Sequence, residues 1–286
     1  DPPDRGSSCP PPRSGASPAR TGGAGRRGRL RSAGTRHVQP AIGAMVERSA
    51  LLGGLDGFSH VAGGEVLGRE AGGTMPHALL LCFGRGNQEA AWRAFDEAVG
   101  ETVPRVALCD TFDDEADEAR RAAAELGDRL DSVRLDTTGS RRGDFRHIIR
   151  EVRWTLDAHD REDVDIFVSG GLGPSDLREL RDVADGFGVG GYVSNADPVD
   201  FALDIVEIDG EPTSKRGKLP GRKQVYRTPD GDHHVGLASE AGPDDGEALL
   251  QPLIRDSAVV DDFDLGIDAA AERAARDAEL CGYGGE

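Results

Sequence analysis

The chain has 286 residues, and its 34 Lys and Arg against 52 Asp and Glu leave a net charge of −18, which excludes a generic nucleic-acid binder. Hydrophobic residues are 37% and aromatics 5%, lean but sufficient at this length for one large core or two modest ones. The acidity is unusual in kind: 33 Asp and 19 Glu face 31 Arg and only three Lys, Lys215, Lys218 and Lys223. A carboxylate-rich, Lys-poor surface of this sort is expected of a cytoplasmic protein from a salt-loving microbe.

Residues 1–36 form a compositional block of their own. They carry eight Arg and two Asp, with six Pro and seven Gly, and Leu30 is their only large apolar residue. Such a stretch cannot bury a core, so the whole of 1–36, Arg29 to Thr35 included, is expected to be a disordered basic segment.

From Arg36 the text becomes periodic. Helices are expected over Pro40–Leu52, Asn87–Val99, Asp113–Leu126, Asp144–Ala158 and Ser175–Ala184, the last with Ser175 as its N-cap. Strands are expected at Gly57–His60, Arg105–Cys109, Ser132–Leu135 and Val164–Val168. Alternating strands and helices imply parallel βαβ units, and a barrel-like domain over 37–209. Beyond Asp209 the alternation stops. Short strands at Phe201–Ile208, Lys223–Arg227 and His234–Leu237, then a helix over Ala269–Glu279, point to a smaller unit over 210–286.

Several expected strands end in polar or Gly-rich clusters: Asp110 and Thr111; Asp136, Thr137 and Thr138; Ser169, Gly170 and Gly171. In an α/β barrel these carboxyl ends face the active site. Arg134 and Asp136 are two apart, so on a strand they share a face. Arg can hold a carboxylate or phosphate, and Asp can sit near a developing cation, although a plain Arg–Asp pair would look the same in sequence. Gly170 and Gly171, followed by Gly190 and Gly191, read either as tight turns or as backbone cradles for a phosphate; two such turns at neighbouring strand ends favour the cradle. Thr74 and His77 sit in a turn leading into the apolar run 78–83. His37 beside Arg36 is ambiguous in isolation, and His233 and His234 read as solvated.

The basic island Lys215–Lys223 serves either an anionic partner or the chain's own acidic surface. Four scattered cysteines, Cys9, Cys82, Cys109 and Cys281, offer neither a disulfide framework nor a metal-ligand spacing. The longest apolar run is too short for a membrane span, so no membrane or nucleic-acid partner is expected.

Taken jointly, TRHVQPAIGAMVERSALLGGLDGFSH, GGTMPHALLL, VALCDTFDDE, VRLDTTGSRRGD, DIFVSGGL, FGVGGYVSNA and SKRGKLPGRKQVYR resemble, in order, the archaeal-type nicotinate phosphoribosyltransferases. The resemblance implies an irregular α/β barrel with part of a second α/β sandwich domain. It also implies formation of nicotinate mononucleotide and pyrophosphate from nicotinate and phosphoribosyl pyrophosphate in NAD salvage, with Mg²⁺, with ATP as a possible co-substrate, and with assembly as a homodimer. By position it implies that Thr74 and Arg134 contact nicotinate and that Asp136 lies near the ribose. His77 would be the histidine phosphorylated in ATP-using members, Ser169, Gly170, Gly171, Gly190 and Gly191 would hold the 5-phosphate, and Arg36 with His37 would line the substrate pocket. Gly191 stands where relatives often have Thr, and the expected reading is an enzyme with an incomplete or misread N-terminus. A quinolinate-using relative and an inactive phosphoribosyl-binding fragment are the alternatives.

Overall fold

A computed structural model describes residues 29–101, 103–136, 143–260 and 266–280. Thr137, Thr138, Cys9, Cys281 and most of the basic leader lie outside the described residues. The chain divides into two units at Pro198, earlier than the 209/210 boundary expected from periodicity.

The first unit is built on six strands: β1 (Arg29–Ser32), β2 (Gly57–Phe58), β3 (Val106–Leu108), β4 (Ser132–Leu135), β5 (Asp165–Ser169) and β6 (Gly186–Val189). They form one sheet in the order β2-β1-β6-β5-β4-β3, and every pairing is parallel. This is the α/β architecture expected, with an opening between β2 and β3 across which the described residues form no ladder. Helices α1 (Gly43–Leu52), α2 (Val61–Leu67), α3 (His77–Phe83), α4 (Gln88–Ala98), α5 (Glu115–Leu126), α6 (Phe145–Asp157), α7 (Pro174–Leu180) and the single turn α8 (Gly191–Ser194) follow the strands in chain order.

The local chemistry of these elements is plain. β3 is a run of three apolar residues, all buried, as a strand covered on both faces must be. Asp114 caps α5 by accepting from the Ala116 N–H at 3.0 Å, and Asp144 caps α6 through the Arg146 N–H at 2.9 Å. The core packs Trp92, Leu108, Leu135, Ile149, Leu156 and Ile166, all fully buried, between the sheet and α4 to α6. The Trp92 indole N–H is satisfied by the Leu108 carbonyl at 3.2 Å.

Three expectations need correction. Arg29–Ser32 is no part of a disordered leader: it is β1, hydrogen-bonded between β2 and β6, because its backbone completes two parallel ladders whatever its side chains. Helix α7 starts at Pro174 with Gly173 as its cap, and the Asp176 carboxylate accepts the Gly173 N–H at 2.7 Å. Of the strand expected over Phe201–Ile208, only β7 (Glu207–Ile208) forms, pairing with β8 (Glu211–Pro212).

In the second unit β9 (Lys223–Arg227) lies between β10 (His233–Leu237) and β11 (Glu247–Ala248), all antiparallel; a small hairpin β12 (Ile254–Arg255) and β13 (Ala258–Val259) and helix α9 (Ile267–Leu280) complete it. Arg227 ties the helix to the sheet, reaching Asp277 and Glu247 at 2.8 Å each. None of its described large hydrophobics is fully buried, and Val199, Phe201, Leu203 and Ile205 are exposed at alternate positions, Leu203 completely. The basic island resolves toward its own surface: Lys215 and Lys218 clasp Asp204 at 2.6 and 3.0 Å, and Lys223 donates to the Leu219 carbonyl at 2.6 Å.

Candidate active site

The polar residues gather at the carboxyl ends of the strands. Arg134 points from β4 with its guanidinium nearly saturated. Nε donates to Ser169 Oγ at 2.9 Å, Nη1 to Thr74 Oγ1 and to the Met75 carbonyl at 3.2 Å, and Nη2 meets Asp136 Oδ2 at 2.8 Å. Asp136 accepts in turn from Ser169 Oγ at 2.5 Å. Four of the five guanidinium N–H bonds therefore have partners among the described residues, and one on Nη2 is left over.

His77 opens α3 opposite this group. Its Nε2 lies 3.5 Å from Asp136 Oδ2 and 3.8 Å from Asp110 Oδ1, and its Nδ1 lies 3.2 Å from Thr111 Oγ1. The Asp136 carboxylate, with Asp110 behind it, raises the affinity of His77 for a proton against the opposing effects of burial and the Arg134 charge. Burial pushes Asp136 up, but the hydrogen bond from His77, the Arg134 charge and the Ser169 hydroxyl outweigh it and hold the carboxyl well below the usual carboxylate range. The outcome at neutral pH is an aspartate that stays ionised beside an imidazole inclined to be cationic.

The Gly-rich turns occupy the next two strand ends. Gly170 and Gly171 both have positive φ, 102° and 72°, a backbone that side chains rarely adopt. Gly190 lies between α8 and the end of β6, the strand adjoining β5. A Cβ on Gly34 would lie 2.7 Å from the Gly190 carbonyl oxygen, so the loop after β1 is pressed against the β6 turn. Arg36 and His37 are exposed beside that turn, with Arg36 Nε donating to His37 Nε2 at 3.3 Å. No described contact joins them to Thr74, Arg134 or Asp136. Sequence reasoning left Asp110 and Thr111 out of the candidate site; their place at the end of β3, equivalent to that of Asp136 on β4, was the available signal.

The carboxyl ends of parallel strands thus hold an Arg–Asp pair and two glycine turns, with the His at the start of α3 facing the pair, the place where α/β domains of this kind carry their sites. Residues 19–204 match the quinolinate phosphoribosyl transferase C-terminal domain, and the chain belongs to this phosphoribosyltransferase family. It is 33% identical over 227 residues to the nicotinate phosphoribosyltransferase pncB2 of Mycobacterium tuberculosis, covering 73% of this chain and 46% of that protein. Against the nicotinate phosphoribosyltransferase of Bacillus subtilis it is 28% identical over 220 residues, 70% of this chain and 44% of the relative. The chain thus spans less than half the length of these bacterial relatives. Among solved structures, the nicotinate-nucleotide pyrophosphorylase of Pyrococcus furiosus superposes with a TM-score of 0.77 at 49% identity, over 88% of this chain and 66% of that one. The human nicotinic acid phosphoribosyltransferase shares the fold, with a TM-score of 0.68 at 20% identity over 90% of this chain and 65% of that one. No helix among the described residues is long and apolar enough to cross a membrane.

Proposed function

We propose that this chain carries the barrel site of a nicotinate phosphoribosyltransferase, joining the ring nitrogen of nicotinate to C1 of phosphoribosyl pyrophosphate with release of pyrophosphate. The observation that carries the reading is the Thr74–Arg134–Asp136–Ser169 group set beside two glycine turns on adjacent strands. The names of the two bacterial relatives support it.

Breaking the anomeric C–O bond builds positive charge on the ribosyl ring, so the site needs a fixed anion and held phosphates more than a nucleophile of its own. Asp136, kept ionised by its neighbours, supplies that anion. The glycine turns offer backbone N–H groups to the 5-phosphate. The nicotinate carboxylate would meet the spare Nη2–H of Arg134 together with the Thr74 hydroxyl, because a bidentate clamp requires Arg134 to release a present partner. Among the described residues no group of three or more His, Cys, Asp or Glu is arranged to hold a metal ion, and both Asp136 oxygens are engaged; Mg²⁺ would arrive on the pyrophosphate oxygens, whose charge it neutralises. His77, flanked by carboxylates, is the group through which ATP would assist.

Quinolinate is the second reading, and one observation favours it. Arg31 Nη1 reaches the Gly72 carbonyl at 3.4 Å, which brings a second guanidinium against the loop that carries Thr74, and quinolinate has a second carboxylate to be held. The test is product formation by the purified chain in high KCl with Mg²⁺, from labelled nicotinate with and without ATP, and in parallel from quinolinate followed by carbon dioxide release. Mononucleotide from nicotinate supports the first reading, carbon dioxide the second, and neither from a folded chain defeats both.

A further inference from the structure

The loop after β3 is held from beneath in a way that the chemistry above does not use. Glu118, on α5 and fully buried, turns its carboxylate toward the backbone of this loop. Its Oε1 accepts from the Phe112 and Asp113 N–H groups at 2.9 Å each, and its Oε2 from the Thr111 N–H at 3.2 Å. Gln88, also fully buried, donates to Glu118 Oε1 at 3.2 Å and to Asp113 Oδ2 at 2.9 Å, and Arg121 donates to Gln88 Oε1 at 3.2 Å. Three successive backbone donors on one buried carboxylate fix the loop far more firmly than a surface turn would be fixed. The side chain delivered by that loop is Thr111, and its hydroxyl faces His77 Nδ1.

We propose that Thr111, locked in place by Glu118, is a positioning residue that sets the orientation and proton affinity of His77. The physical basis is the two-way character of a hydroxyl. Nε2 of His77 points to Asp110 and Asp136, so it carries a proton in both charge states. In neutral His77, Nδ1 accepts from the Thr111 O–H; in the cation, Nδ1–H donates to the same oxygen. One residue thus serves both states without the ring turning. A hydrogen bond made by the charged form is the stronger of the two, so Thr111 favours the cation. It acts in the same direction as Asp136 and Asp110 and against Arg134, the charged groups facing this ring. The assignment rests on the proposed function only for what His77 does in turnover. The geometry, and the test, stand without it.

The test follows the His77 ring protons by NMR across a pH series in the full chain, in Thr111→Val and in Thr111→Ser. Valine keeps the shape of threonine and removes the hydroxyl. The expected result in T111V is a drop of about fivefold in the protonated-to-neutral ratio of His77 at fixed pH, restored in T111S. An unchanged ratio in T111V overturns the proposal, whatever the chain turns over. In the same samples, kcat for mononucleotide formation is expected to fall roughly tenfold in T111V, with the KM for nicotinate unchanged and T111S recovering. A lowered His77 ratio in T111V, found with a folded wild-type chain that turns over neither pyridine acid, would sustain the Thr111 assignment and sink the proposed reaction. For the Glu118 half, Glu118→Gln is expected to speed amide exchange at Thr111 and Asp113 about tenfold, as befits loss of a charge-assisted hydrogen bond. Unchanged exchange there would remove Glu118 from the account.

Discussion

Replacing Asp136 with asparagine tests the centre of the site through stability alone, independent of substrate. Asp136 uses one oxygen for Ser169 Oγ at 2.5 Å and the other for Arg134 Nη2 at 2.8 Å. Asparagine has one acceptor oxygen, so it can keep one of these bonds and must turn an N–H toward the other partner. Arg134 would then lose its counter-charge while its side chain stays 15% exposed. Removing one partner of a buried pair costs 3–5 kcal/mol, and the residual exposure of both groups puts D136N near the lower end, about 3 kcal/mol. For a unit of this size that corresponds to a fall in Tm of roughly 6–12 °C. The sign with pH also follows. The folded-state carboxyl is held below its ordinary value of 3.8, so its contribution is fully present above about pH 4 and is lost as pH falls further. Calorimetric scans of both proteins at pH 7 and pH 3 give the comparison: a large gap at neutral pH, narrowing in acid. A difference below about 2 °C at pH 7, or one that does not narrow on acidification, would show that the Arg134–Asp136 pair is solvent-screened and that the site lacks the electrostatic tension attributed to it.

Glu47 behaves in the opposite sense: burial pushes its carboxyl up by more than the nearby Ser32 hydroxyl and His60 pull it down, and no hydrogen bond of normal geometry reaches either of its buried oxygens among the described residues. Its contribution is therefore full below its ordinary value of 4.5 and lost as pH rises through the raised folded value, so Glu47→Gln should gain on the wild type by about 1–2 kcal/mol at pH 7 and show no gain at pH 4 in urea titrations. Gly188→Ala would place a Cβ 3.0 Å from Ser169 Cβ and 3.2 Å from the Phe167 ring, an overpacking cost of roughly 1–3 kcal/mol that displaces the hydroxyl shared by Arg134 and Asp136. A G188A protein as stable as the wild type would show that β5 and β6 can part without cost. The net charge of −18 predicts that Tm climbs steadily as KCl is raised from 0.1 M toward 2 M, by screening of self-repulsion; a flat response would remove the halophilic reading of the composition.

The first unit was legible wherever periodicity and burial agree. β4 was read with its exact bounds, and α4, α5 and α6 within two residues at either end, because apolar periodicity marks all three and Asp caps mark α5 and α6. β1 was missed for a definite reason: Arg29, Leu30, Arg31 and Ser32 offer one apolar residue in four, and membership of a parallel ladder is decided by backbone hydrogen bonds to β2 and β6, which composition does not report. The reverse error befell Phe201–Ile208, where Phe201, Leu203 and Ile205 alternate like a half-buried strand yet stand exposed, with no ladder over most of their length. Alternation in sequence states that a face needs cover; it does not supply the cover.

The site shows the same division between what one strand encodes and what several must assemble. Spacing alone put Arg134 and Asp136 on one face of β4, and the structure pairs them. The approach of Thr74 to Arg134, of Ser169 to Arg134 and Asp136, and of Thr111 to His77 spans separations of 33 to 60 residues, and is set by the order in which β3, β4 and β5 lie side by side. Arg134 also shows why residue type falls short of chemistry. An arginine at a strand end suggests a bidentate carboxylate clamp, yet here Ser169, Thr74, Met75 and Asp136 already take all but one of its N–H bonds. On the proposed reading a carboxylate would take the one spare N–H and the Thr74 hydroxyl, which can donate to it while still accepting from Arg134. Selectivity for a pyridine acid would then lie in how readily the Gly72–Thr74 loop yields; Thr74→Val should raise the KM for nicotinate and, by removing the acceptor of one Arg134 N–H, lower the Tm by less than D136N does, because the Arg134–Asp136 pair remains.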